Sequence, residues 1–466
     1  MIPPGGPPPE SPGPPPTDAP GSQPVIEIAP PRRSALLRTD FANKVALTFA
    51  TEAVLFVLGI ALAIATARWL GPSGKGEFAL ITTIVSLVYS FSSFGVSQAV
   101  VYFAKRLPES ELVRNALSLS LVLGVLSMAV GGAIGYALSG SFDLNPSVVL
   151  VAVLGLPALH LDSTARGLIQ GKYALTSFNI LRLVNPVVFL PLLAGALIFP
   201  DRVNGAIVAW TLSQYISALF SVRALLRRRE DHTGSWVPKW AHWKTIFLFG
   251  ARTHLGNVLK FFQYRFDVVL IGALLDKRQV GFYAVGLSLA ELPLRIPDAV
   301  GLVLFPKVAA TAEDKRESIT PLVSRHTVFM TIVSSALLFL FAPLIITVLF
   351  GSRFEPATVP ARVLLPGGVA LALWKILAQD MIARGRPNAY SASALCSLVT
   401  IVAGCLLLVP NIGLAGGALA SSVAYTAAAT SLFVAYRRAT GATLRDCVLI
   451  WRSDLAIYWN ALRRHG

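Results

Sequence analysis

The chain has little of what a cross-linked secreted protein or a soluble catalyst needs. Only three of its 466 residues are cysteine. Cys396, Cys405 and Cys447 show neither paired nor metal-ligand spacing, which argues against a disulfide framework or a cysteine-bound zinc. Apolar burial is their expected role. Charge is scarce as well: 14% of residues are Asp, Glu, Lys or Arg, against about 25% in a typical soluble domain. Acid is the scarcer sign, 24 residues against 40 basic ones, leaving a net charge of +16. In a soluble protein that excess points to nucleic acid. Here the basic residues lie mainly in short connections between apolar runs, which points to a membrane instead. There is no HExxH, P-loop or GxSxG nucleophile elbow. GPSGKG at 71–76 lacks the GK[ST] ending of a phosphate loop and reads as a turn. His160 and His254 stand singly within apolar runs, where a hydrogen-bonded packing role is expected rather than metal ligation. No polar stretch is long enough to house a soluble active site.

What is present is apolar sequence, 54% of the chain, with a mean hydropathy of +0.64. About 20 apolar residues cross a bilayer as a helix. Twelve runs qualify, near 45–70, 77–103, 112–140, 147–169, 174–199, 203–226, 244–274, 281–306, 321–350, 361–383, 388–410 and 413–437. The expected fold class is therefore an all-α polytopic membrane protein of about twelve transmembrane helices. Ahead of them, residues 1–44 hold 13 of the 31 prolines and no helical period. They read as a disordered, Pro-rich tail, without the pattern of a cleaved signal peptide.

Orientation follows from Lys and Arg. The tail and the even-numbered connections carry 27 of them, the odd-numbered connections 7. Both termini are thus expected in the cytoplasm. The two halves also echo each other. Gly76-Glu77-Phe78-Ala79 aligns with Gly281-Phe282-Tyr283-Ala284 at an offset of 205, ARG at 165–167 with ARG at 383–385, and GAIVA at 205–209 with GALAS at 417–421. Six spans per repeat keep one orientation, so the lobes 45–226 and 244–437 are expected to be related by a pseudo-two-fold along the membrane normal, joined by a cytoplasmic linker at 227–243. After them, 438–466 reads as a tail whose segment 442–464 forms an interfacial helix, with Leu444, Val448 and Trp451 near one face.

Six basic residues fall inside spans: Arg182, Arg252, Lys260, Arg265, Arg295 and Lys375. A charge at mid-bilayer costs roughly 2.5–3.5 kcal/mol even on insertion-derived scales. At about 100° per residue, Arg252, Gly256, Lys260, Gln263 and Asp267 share one stripe of their helix, and Arg265 points elsewhere. The stripe is expected to face a wet, anion-attracting cavity, and Arg265 to meet an acidic residue on a neighbouring helix. In the next span Ser288, Glu291, Arg295 and Asp298 share a face, Glu291 can pair with Arg295, and Pro293 and Pro297 interrupt the backbone. Arg182 lies with Asn179 and Asn185, Lys375 with Gln379 and Asp380, and Glu52 stands alone. Mutual neutralisation of these groups is the competing structural reading.

Two stretches carry a family likeness: ARWLGPSGKGEFAL with FGVSQAVVYFAKR (67–106), and YRFDVVLIGALLDKRQVGFYAVGLSLAELPLRIPDAVGLVLFPKVA (264–309). Through them the chain resembles the polysaccharide-exporter (O-antigen and exopolysaccharide flippase) branch of the multidrug/oligosaccharidyl-lipid/polysaccharide superfamily, over about 45–440. The resemblance implies two six-helix lobes in a V that open alternately, with spans 1, 2, 7 and 8 lining the cavity, in a bacterial cytoplasmic (inner) membrane. Relatives that flip the peptidoglycan lipid precursor carry fourteen spans, against twelve counted here.

The expected function is export of an undecaprenyl-pyrophosphate-linked oligosaccharide by alternating access, not an enzymatic step. Arg252, Lys260, Arg295, Arg182 and Lys375 would receive the anionic headgroup. Glu52, Asp267 and Glu291 leave proton or sodium coupling open, and no other cofactor is expected. A glycan polymerase and glycosyltransferases are the expected partners, nucleic acid is not, and the protein should be a monomer. The alternative is a cation-coupled multidrug exporter of the same fold, against which a basic cavity counts. A polymerase or ligase would need larger outer loops.

Overall fold

The computed structural model describes residues 35–172, 174–227, 237–310, 313–451 and 454, with the side chains at 35–45, 197, 252–253, 255–257, 260, 302–303, 305–307, 309–310 and 313–318 outside the described set. Residues 1–34 of the Pro-rich tail, most of the linker and the end of the expected interfacial helix lie outside the described residues, while residues 35–44, read from the sequence as part of the disordered tail, are helical and begin the first helix. Residues Ala46–Gly466 form one compact unit. Every described element is helical, and eight helices are long and apolar enough to cross a membrane.

The helices reproduce the twelve expected spans, with several breaks. Helix α1 (Ala35–Ser92) holds span 1 and most of span 2, divided at Gly71, whose φ of 69° suits glycine, followed by Pro72. Helix α2 (Val96–Phe103) completes span 2, and α3 (Glu109–Ser139) is span 3. Span 4 is split into α4 (Pro146–Val153), capped by Asn145, and α5 (Leu156–Gly171). Then come α6 (Leu175–Gly195), α7 (Arg202–Arg227) and α8 (Trp240–Leu274). Span 8 is broken as its prolines predicted. Helix α9 (Lys277–Ala290) ends, Leu292–Leu294 make a 3₁₀ turn containing Pro293, and α10 (Arg295–Ala310) begins. Helices α11 (Glu313–Phe350) and α12 (Thr358–Ala383) precede α13 (Pro387–Thr440), which is broken at Ile412 and Gly413 and so carries spans 11 and 12.

The packing is asymmetric between the two ends of the spans. The end that carries the start of span 1 and the close of span 12 is termed the terminal side, and the other the far side. On the far side one apolar core runs through both halves, joining Phe78, Leu80 and Val149 to Ile271, Tyr283 and Leu364. On the terminal side the cores are separate. One gathers Val96, Leu112, Leu225 and Ile246, a second Leu371, Trp374, Tyr425 and Tyr436, and a small third Leu304, Val308 and Ile376. Ile246 places the first turns of α8 in the core of the first half, while Val268 and Ile271 further along α8 join the common core.

The far-side contact carries the repeat in its geometry. A Cβ on Gly76 would lie 1.7 Å from the Lys277 carbonyl oxygen, and one on Gly281 would lie 2.0 Å from the Pro72 carbonyl oxygen. Both relations are made by residues 205 apart, the offset read from the sequence, so the two helix starts cross reciprocally. Only glycine lets the backbones approach so closely. The Lys277 ammonium reinforces the crossing, 3.4 Å from Glu77 and 3.0 Å from Asp143.

Of the expected interfacial helix, α14 (Leu444–Val448) is seen. Thr443 and Asp446 close a capping box, whose hydroxyl and backbone hydrogen bonds hold the Asp446 carboxyl below its usual range. Cys447 is buried in the terminal-side core of the second half, and Asp454 takes a two-pronged ion pair from Arg325 of α11. The described part of this segment is therefore docked on the bundle as well as apolar on its outer face.

Candidate functional site

Between α1 and the terminal-side core of the second half lies a cavity of about 800 Å³. That is within the range of small-molecule sites, roughly 300–1,000 Å³. Helix α1 contributes Phe49, Glu52 and Phe56, spaced to share one face. Helix α10 contributes Arg295 and Asp298, and α12 contributes Lys375 and Gln379. Tyr264, Trp374 and Tyr390 complete an aromatic wall. A Cβ on Gly301 would sit 3.3 Å from the Gln379 side chain, so α10 and α12 close one flank tightly.

The charges here are mostly paired. Lys375 Nζ lies 2.7 Å from Asp298 Oδ1 and 5.4 Å from the centre of the Tyr264 ring. Glu52 Oε1 is 2.6 Å from Arg182 Nη1 on α6, so two expected site residues neutralise each other between α1 and α6. Asn179 donates to Thr48 on the same two helices. Arg295 differs. It is exposed to the cavity, lies 5.7 Å over the Phe56 ring, and makes no ion pair among the described residues. A guanidinium in that position presents several donors to an incoming anion.

Two sequence expectations are corrected. Glu291 does not pair with Arg295. It caps the end of α9, and the 3₁₀ turn before α10 destroys the i, i+4 register. Its oxygens are taken instead by Arg265, at 3.0 Å and 3.5 Å. The expectation of an acidic neighbour for Arg265 thus holds, and at Gln263 and Asp267 the expectation of a wet face does not. Gln263 and Asp267 are both 0% exposed, whereas the Arg265 side chain is 42% exposed and lines a cavity. Asp267 is satisfied inside the fold rather than by water. Its Oδ2 accepts from the hydroxyls of Tyr283 and Ser421, and its Oδ1 from the Val268 amide. Arg252 and Lys260 occupy α8, but their side chains lie outside the described residues.

Sequence reasoning missed the aromatic wall and Lys75. The spacing of Phe49, Glu52 and Phe56 was a signal for the first. Lys75 was counted with a loop, yet it is buried, its Nζ donating to Thr66 Oγ1 at 2.7 Å. His160 is buried and bonded to Ser92 at 3.0 Å, and no cluster of metal-ligating side chains occurs among the described residues.

Comparison with known proteins follows the same lines. A family model described as "Polysaccharide biosynthesis protein" matches residues 39–359, and one described as "Lipid II flippase MurJ" matches residues 268–458. No curated protein gives a significant sequence match. Among solved structures, lipid II flippase MurJ in an inward closed conformation is similar at a TM-score of 0.71 and 13% identity, covering 84% of this chain and 87% of that one. An inward-facing multidrug resistance MATE family transporter of the MOP superfamily gives 0.69 at 16% identity, over 85% of this chain and 98% of that one. An outward-facing one gives only 0.52 at 16% identity, over 85% and 94%. These likenesses establish the fold, two six-helix lobes.

Proposed function

Because the chain belongs to the polysaccharide biosynthesis protein family, we propose that it flips an undecaprenyl-pyrophosphate-linked oligosaccharide across the bacterial cytoplasmic membrane. The terminal side is taken as cytoplasmic, from the excess of Lys and Arg there, and 45–226 and 244–437 as the moving lobes. The observation that carries the reading is Arg295: an exposed guanidinium without an ion pair among the described residues, in an aromatic-walled cavity of about 800 Å³. The pyrophosphate would meet Arg295, with Lys375 as a second cation once Asp298 yields. Sugar rings present apolar faces that stack on aromatic side chains, and Phe56, Tyr264 and Tyr390 offer such faces. Opening then requires the Gly76–Gly281 crossing to part and the terminal-side cores to close.

The membrane potential drives this step in the right direction. Each negative charge leaving a negative interior gains about 2.3 kcal/mol per 100 mV. Coupling to a proton or sodium ion, where used, is assigned first to Asp267. Glu52 and Glu291 are held by arginines, while Asp267 is held only by hydroxyls and an amide among the described residues. Glycosyltransferases that build the substrate and a polymerase that consumes it are the partners this reading requires.

The test is Arg295→Ala in cells that depend on this protein for export. The variant should reach the membrane at wild-type level and lose most export, with lipid-linked oligosaccharide accumulating on the inner leaflet. Full export by that variant would overturn the assignment of Arg295, and efflux of cationic dyes would favour a multidrug exporter instead.

A further inference from the structure

A second cavity, of about 280 Å³, lies between the second limb of α1, α8 and α9, and shares no lining residue with the first. It has room for roughly nine waters at about 30 Å³ each, enough for a phosphoryl group. Lys75 and Arg265 line it with Thr82, Thr83, Ser86 and Ser288. Lys75 is only 8% exposed. An ammonium has three donors. Among the described residues its ammonium has one hydrogen bond, to Thr66, and a weak approach to the Phe78 ring at 5.9 Å. No carboxylate pairs with it among the described residues. A buried cation without a counter-charge is costly, and an arriving anion removes that cost. Arg265 is held from one side by Glu291 and is open on the other.

Position adds the second argument. Lys75 is the residue before Gly76, so this cavity lies just inside the crossing that closes the far side. The first cavity lies toward the opposite end of the spans. An anion moving from Arg295 toward the far side would meet Lys75 and Arg265 last.

We propose that Lys75 and Arg265 form a second anion subsite that takes the phosphoryl groups of the headgroup before release. The inference rests on the flippase reading above. Two subsites in series let the headgroup pass from one cationic environment to another without a stretch of uncompensated charge. They also place the anion where it can act on the far-side closure, since Lys75 and Gly76 move as one turn. The competing role for Lys75 is mechanical: its bond to Thr66 fastens the two limbs of α1 across Gly71.

Titration of the purified full-length protein with inorganic pyrophosphate, followed by calorimetry, separates the two. Lys75→Met should weaken pyrophosphate binding roughly tenfold to a hundredfold, the loss expected for one charge-assisted hydrogen bond. Lys75→Arg should retain most of the affinity, and Arg265→Gln should weaken it as well. Melting temperature without pyrophosphate is measured alongside, and a variant that fails to fold is replaced by Lys75→Gln. Wild-type affinity in both Lys75→Met and Arg265→Gln would overturn the subsite and leave Lys75 a fastener. If Arg295→Ala alone lost pyrophosphate, the flippase reading would stand and only the second subsite would fall. No uptake by the wild-type protein would overturn both.

Discussion

Substituting Gly76 by alanine tests how the far side is held shut. The new Cβ would lie 1.7 Å from the Lys277 carbonyl oxygen, where even a close carbon–oxygen contact needs about 3.3 Å. The obstacle is backbone, not a side chain that can swing away, so the two helix starts must part by about 1.5 Å. Overpacking of this kind costs about 1–3 kcal/mol. Spent on one conformation of an alternating-access protein, it changes the ratio of closed to open far side by roughly 5- to 150-fold. Gly281→Ala should act in the same direction, its Cβ falling 2.0 Å from the Pro72 carbonyl oxygen. Gly59→Ala is the control, because nothing lies within 4 Å of a Cβ there. The measurement is a pulsed electron-spin distance between labels on Ser141→Cys and Ser352→Cys. Both sites are exposed and lie in far-side connections, and the three native cysteines are replaced by alanine. Gly76→Ala and Gly281→Ala should each add a longer distance population that Gly59→Ala lacks. An unchanged distribution in both would refute the crossing as the closure.

Two further outcomes follow from named contacts. Tyr283→Phe removes one hydroxyl donor from fully buried Asp267 and should cost about 1–3 kcal/mol of stability, read as a lowered melting temperature in detergent, with Ser421→Ala additive only in part because both hydroxyls serve one oxygen. Lys375→Met should lower export by weakening headgroup binding while costing at most about 1 kcal/mol of stability, since its partner Asp298 is half exposed; a large fall in melting temperature with export intact would mark the pair as structural.

The aromatic wall and the burial of Asp267 show where sequence reasoning stopped. Periodicity established that Gln263 and Asp267 share a face and that Arg265 does not, and both statements hold. It did not establish which face is wet. A polar stripe needs hydrogen-bond partners, and at Asp267 Tyr283 and Ser421 supply those that water would have given. In the same way Glu291 and Arg295 are four residues apart on paper, and the Pro293 turn between them decides that Glu291 meets Arg265 instead. Proline marked that break in advance, but the new partner was not visible from one helix alone.

The number of spans, the breaks at Gly71 and near Pro293, and the 205-residue echo were settled by the sequence itself. A bilayer demands about 20 apolar residues per crossing and internal satisfaction of every backbone group, and those demands are met locally. Tertiary structure alone decided which charges are spent on each other and which remain exposed to the cavity. Arg182 and Glu52 are 130 residues apart, and Lys375 and Asp298 are 77 apart. Whether such groups meet depends on how helices from distant parts of the chain pack, and a one-dimensional pattern holds no record of that.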